Sequence, residues 1–167
     1  GEVAGAAVAK QVKALAEKVD SMYISKQTTR MMESVEDDPE LAIGTAKELV
    51  ETVCKTILQE RGIPFSKNPD LPELSKATFK ALCLMPDDIS EHTNGAETIR
   101  RMLSNLATVT QGLAELRSLY GTGHGKHGRT KSVFPRHARL AVGASSTLAL
   151  FLCETHLQNQ EEQDSER

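Results

Sequence analysis

Residues 99–121 read IRRMLSNLATVTQGLAELRSLYG, and their spacing decides the fold class. Ile99, Met102, Leu103, Leu106, Val109, Leu113, Leu116 and Tyr120 recur every three to four residues, the period of a helix face laid on a core. Gly121 closes the run, as glycine closes many helices. Nowhere do four to eight residues alternate in the period-two manner of a strand, and no segment repeats another. The chain reads as an all-α bundle.

Outward from this helix the signals agree. Asp37-Asp38-Pro39-Glu40 opens a helix with Asp38 as N-cap and Pro39 at its first position. That helix carries Ala42, Ala46, Leu49, Val50, Val53, Ile57 and Leu58 on one side and stops at Gly62. Asp70 caps a shorter helix holding Leu71, Leu74, Thr78 and Leu82, with Pro86 as its expected end. A last helix starts near Pro135 and is expected to end about Gln158. Its small residues Ala141, Ala144 and Ser145, ahead of Leu148 and Leu152, admit a close neighbour. Near the N-terminus, Val8, Val12, Leu15, Val19 and Met22 form a heptad-like stripe over about Ala4–Met22. The expected division is an N-terminal helical extension over 1–36, a bundle of four to five helices over 37–158, and a polar disordered tail over 159–167.

Composition narrows the class. The 167 residues suit one domain; 39% are hydrophobic but only 4% aromatic, so the core must be aliphatic, as in packed helices. Cys54, Cys83 and Cys153 are odd in number and lack CxxC spacing, which suits free thiols in the reducing cytoplasm and argues against structural zinc. No run of about 20 apolar residues is evident and no secretory leader opens the chain, so no membrane insertion is expected. Gly1 stands where a start methionine would, as in a processed chain or a piece of a longer one.

The net charge of −3 hides a segregation. Between Arg117 and Cys153 lie Arg117, Lys126, Arg129, Lys131, Arg136 and Arg139 and no acid, while the remaining chain sets 14 basic against 23 acidic residues. That window suits a phosphate-rich partner. Its first part, Arg117-Ser118-Leu119-Tyr120-Gly121-Thr122-Gly123-His124-Gly125-Lys126-His127-Gly128, is the densest concentration of chemistry in the chain. The four glycines allow the backbone to approach a ligand closely. A P-loop is excluded, because Tyr120 and His127 stand where glycine and Ser/Thr are required; a dinucleotide fingerprint lacks its strand. No carboxylate or cysteine flanks His124 and His127 to complete a metal site, and no cofactor is expected.

The residues do suit acid–base chemistry on a phosphodiester. Histidine trades protons near neutral pH, and arginine holds phosphate through two prongs. RNA supplies its own nucleophile, the 2′-hydroxyl. Lys126, Arg129, Lys131, Arg136 and Arg139 are expected to hold the RNA backbone without reading bases, on the view that no aromatic platform is interleaved among them. Arg136 and His137 open the last helix, where backbone dipoles favour an anion. Ser118, Tyr120 and His127 complete the expected RNA-contacting set.

An arginine ending a long helix, followed after six residues by histidine in an all-α bundle, resembles the HEPN superfamily of ribonucleases, whose motif is Arg, four to six residues, then His. Within it the chain is most similar to the abortive-infection C-terminal family. Asp38–Ile43 leading to Ala46–Glu51 resembles that family's first helix. Gly112–Arg117 with Gly121–Gly125 resembles its signature, and Arg136–Val142 its closing helix. The likeness spans about Asp38–Thr155. It implies a HEPN-like fold and a metal-independent endoribonuclease of prokaryotic antiphage or toxin systems, working as a homodimer with two motifs facing one cleft. It also implies an upstream domain, antitoxin or sensor as a further partner. Arg117 and His124 carry over as the catalytic pair; Ser118 stands where the superfamily often has Asn, Asp or His. Two other readings of the residues stay open: a non-catalytic nucleic-acid or nucleotide-binding module, and a helical dimerisation domain of a larger protein.

Overall fold

A computed structural model describes residues 6–11, 22–84, 95–121 and 133–167 of the chain. Besides the helical residues 6–11 it holds five helices: α1 (Met22–Ser34), α2 (Pro39–Glu60), α3 (Leu71–Ala81), α4 (Ala96–Gly121) and α5 (Pro135–Ser165). No strand occurs among the described residues. The molecule is an all-α bundle with α2 at its centre, packed against each of the other four helices and most extensively against α5.

The sequence shows why α2 takes that place. Asp38 accepts a hydrogen bond from the Leu41 N–H at 3.0 Å, and Pro39 needs no donor partner at the first position. Ala42, Ala46, Leu49, Val50, Val53 and Cys54 are all fully buried, more than one stripe's worth, which an element surrounded by neighbours requires. Gly62, at φ +67°, ends the helix. Its N–H bonds the Gln59 carbonyl and the Ile63 N–H bonds the Leu58 carbonyl, a paired closure that favours glycine. α3 is capped in the same way by Asp70, which accepts from the Glu73 N–H at 2.8 Å. It ends at Ala81, earlier than Pro86. Cys83 takes φ 57° so that the Cys83 and Leu84 amides can bond the Lys80 and Phe79 carbonyls.

α2 and α5 run parallel. Glu36, just before α2, pairs with Arg139 near the start of α5, and Glu60, at the end of α2, pairs with His156 far along it. Leu148, Ala149, Leu152 and Ser145 are completely buried between them. On length and composition alone α5 is apolar enough to cross a membrane, which corrects the expectation that no such stretch exists. In the bundle this apolar face is covered by α2 and α4.

Three further expectations need correction. α1 belongs to the bundle, not to an extension over 1–36: Ile24, Thr28 and Met31 are buried at helical spacing, and Met31 Sδ accepts a hydrogen bond from Ser145 Oγ at 3.6 Å. Residues 159–167 are no disordered tail up to Ser165, where α5 ends. They contain no glycine or proline, and Gln158–Glu162 and Ser165–Glu161 hydrogen bonds support the turns. Finally, α4 buries Leu103 and Leu113 of its stripe and packs Leu106 and Val109 on the core, together with Ala107, Thr110 and Ala114, but Ile99 and Met102 at its start are left 43% and 60% exposed. Of the N-terminal stripe, residues 6–11 and Met22, the first residue of α1, are described; Ala9 is buried and Val8 half-buried, and Val12, Leu15 and Val19 lie outside the described residues.

Candidate functional site

The window lies at the junction of α4 and α5. α4 ends at Gly121, α5 begins at Pro135, and the segment that joins them carries the glycines and histidines. Arg117 stands four residues before the end of α4, in its last turns, as expected; its side chain and that of Tyr120 are outside the described structure. His124, Lys126, His127, Arg129 and Lys131 also lie outside the described residues. Ser118 is exposed and donates its hydroxyl to the Ala114 carbonyl at 3.0 Å, a back-bond within the helix.

The start of α5 is described in full. Pro135 occupies the first helical position after an extended Phe134, and no acid stands in the first turn. His137 reaches back so that its Nδ1 accepts the Phe134 N–H at 3.0 Å. That bond requires an unprotonated Nδ1 and leaves Nε2 as the outward ring nitrogen. Arg136 is exposed and lies over the Phe134 ring, 4.7 Å from its centroid, and Phe134 is 37% exposed. An aromatic platform therefore does exist in the basic window, contrary to the sequence reading. In the sequence Phe134 sits between Val133 and Pro135 and reads as a connector; the fold turns its ring outward. With Arg136 above it and His137 beside it, ring centroids 5.9 Å apart, Phe134 forms a face on which a base can stack and a phosphate be held.

Arg139, one turn on, is placed differently from Arg136. Its Nη1 bonds Glu36 Oε1 at 2.6 Å across to the α1–α2 turn. Both side chains are substantially exposed, so the pair is weak. Among the described residues no group of three His, Cys, Asp or Glu side chains is close enough to hold a metal ion.

A second His–Arg constellation, not singled out in the sequence, sits at the other end of α2. His156 is 1% exposed; Arg61 Nε donates to its Nδ1 at 3.1 Å, and its Nε2 faces Glu60 Oε2 at 2.5 Å. Arg61 Nη1 also donates to the Ala81 carbonyl at 2.8 Å, tying in the end of α3. Every ring nitrogen is engaged, and the ring is sealed from solvent. This cluster is a structural clamp.

A family model described as Abi_C, a HEPN-like domain, matches residues 22–156, most of the chain. The chain belongs to the Abi_C family of HEPN-like domains. No curated protein and no solved structure matches it significantly. The match to this HEPN-like domain begins at the first residue of α1 and ends at His156, the last fully buried residue of α5, so the clamp and α1 both lie within the domain. That extends the resemblance, drawn from Asp38 onward in the sequence, by one helix.

Proposed function

We propose that this HEPN-like domain is a metal-independent endoribonuclease of an antiphage or toxin system. One observation carries the reading. In a member of this family, Arg117 falls in the last turns of α4, and His124 follows it in the Gly-rich segment leading to an acid-free helix start. His124 moves the proton of the 2′-hydroxyl, and Arg117 stabilises the charge gathering on phosphorus. Attack by the 2′-oxygen leaves a 2′,3′-cyclic phosphate and a 5′-hydroxyl. Phe134, Arg136 and the basic residues of the joining segment hold the single strand.

Two copies are proposed to share one cleft, with the exposed Ile99 and Met102 of α4 contributing to a two-fold interface. Light scattering should then give twice the 18.2 kDa of the chain. A second reading, binding without cleavage, is favoured by the Arg136–Phe134 stack, which serves recognition whether or not chemistry follows.

The test is incubation of labelled RNA with the protein in EDTA. Arg117→Ala and His124→Ala should each slow cleavage about a hundredfold or more, the usual effect of losing an acid–base group or an oxyanion donor. RNA binding with no cleavage by the unsubstituted protein supports the binding module instead.

A further inference from the structure

Opposite the face that α5 buries on α2 and α4 runs a second stripe. Leu140, Gly143, Thr147, Leu150, Glu154 and Leu157 follow one another at intervals of 3, 4, 3, 4 and 3 residues. All six are exposed or half-buried, Leu140 at 56%. This is the spacing by which one helix seats on another along a seam. The bundle buries only 56% of the apolar 18-residue stretch in α5, so the helix is more apolar than its packing within one chain requires.

Opposite charges bound the stripe. Arg136 stands four residues before Leu140, at a helix start with no acid in its first turn. Glu161 stands four residues after Leu157 and is followed by Glu162 and Asp164. Among the described residues neither Arg136 nor Glu161 has an ion-pair partner, whereas Arg139 is held by Glu36. From Arg136 to Glu161 the spacing reads the same in both directions. A second α5 laid antiparallel on the first therefore sets Arg136 against the partner's Glu161, Leu140 against the partner's Leu157 and Thr147 against the partner's Leu150. The two-fold axis falls between Leu148 and Ala149, and the small Gly143 and Thr147 beside it let the helices approach closely. A parallel arrangement would set Arg136 against Arg136 and Glu161 against Glu161, a repulsion at both ends.

From this pattern we infer that α5 pairs antiparallel with α5 of a second copy through this stripe, each acidic end covering the basic start of the other. The two Arg136 side chains then lie about 38 Å apart along the pair, 25 residues of helix rise, too far to face one cleft. The pairing is therefore a resting assembly, distinct from the two-motif pairing proposed above. Glu161 and Glu162 occupy the place of RNA phosphates on Arg136. That consequence rests on the RNA-cleaving reading; the pairing itself does not.

The test is cross-linking of the full chain carrying Thr147→Cys and Cys83→Ser, with a short bismaleimide at micromolar protein. Cys54 and Cys153 are buried, and Cys83, the exposed thiol, is removed. Position 147 meets its own copy near the axis only in this antiparallel pairing, so a covalent dimer is expected. Its yield should fall several-fold with Arg136→Glu or with Glu161→Arg, both at exposed positions, and return when the two are combined. With the charges left native, Glu161→Gln should raise affinity for single-stranded RNA several-fold, read by fluorescence anisotropy at the same protein concentration. Absence of the covalent dimer leaves the stripe to another partner and overturns the inference, as does a double variant that stays as low as the single ones. A restored dimer with RNA affinity unchanged by Glu161→Gln overturns the covering of the basic start. If no variant binds RNA, the reading of the site fails, while the cross-link still decides the pairing.

Discussion

Replacing His156 by phenylalanine removes the clamp at one end of the bundle and puts a larger ring, without polar atoms, in its buried place. Two hydrogen bonds are lost, one from the Arg61 guanidinium at 3.1 Å and one to the Glu60 carboxylate at 2.5 Å. A hydrogen bond to a charged group contributes about 1.5–3 kcal/mol. Arg61 keeps its bond to the Ala81 carbonyl, and the Glu60 side chain is 32% exposed, so water compensates part of the loss. The net destabilisation should be about 2–3 kcal/mol. Urea unfolding at neutral pH measures it, with an unchanged slope showing that the denatured state is the same. Glu60→Gln should cost less, because its amide oxygen still accepts from the ring. Residue 156 lies 21 residues beyond the start of α5, about 30 Å along the helix axis. RNA cleavage by His156→Phe should therefore match the parent wherever the variant is folded. A loss below about 0.5 kcal/mol would refute the claim that a buried, doubly bonded ring holds α2 to α5.

Other outcomes follow from the same geometry. Phe134→Ala should weaken single-stranded RNA binding by about 1–3 kcal/mol if one base stacks there, and Arg136→Ala should lower the salt slope by about 0.7, both read by fluorescence anisotropy across salt. Glu36→Gln should release Arg139, raising RNA affinity with a stability change of at most about 1 kcal/mol, since both partners are exposed. Burial pushes the Cys54 and Cys153 thiols up to about 12, so only exposed Cys83 should react with iodoacetamide at pH 8 in the native protein. The same shift makes the unfolded state release those protons first. Stability should thus fall as pH rises from about 9, by up to about 1.4 kcal/mol per pH unit for each thiol, and mass spectrometry and alkaline melts check the two statements.

The helix pattern was legible where periodicity, caps and breakers coincide. Asp38-Pro39 and Gly62 bracket α2 as read, because a carboxylate cap and a positive-φ glycine are local requirements that tertiary context does not alter. α1 is not legible in the sequence because its buried set, Ile24, Thr28 and Met31, mixes polar and apolar residues and shows no clean stripe. Thr28 is tolerated there by donating to the Ile24 carbonyl at 2.8 Å, a satisfaction invisible in composition. The exposure of Ile99 and Met102 at the start of α4 was equally hidden. A stripe shows that a helix has an apolar side, not which neighbour covers each end of it. At the candidate site, the position of Arg117 near the end of α4 was readable from spacing alone. The outward Phe134 under Arg136 and the Glu36 partner of Arg139 were not, since both depend on how α5 starts beside distant segments.

The most direct measurement of the central claim is the chemistry of the cut ends. RNA digested in EDTA should yield 2′,3′-cyclic phosphate and 5′-hydroxyl termini by mass spectrometry, with no cut at a 2′-deoxy position and with both products lost in His124→Ala. Termini bearing a 5′-phosphate, cleavage at the 2′-deoxy position, or undiminished cleavage by His124→Ala would contradict it.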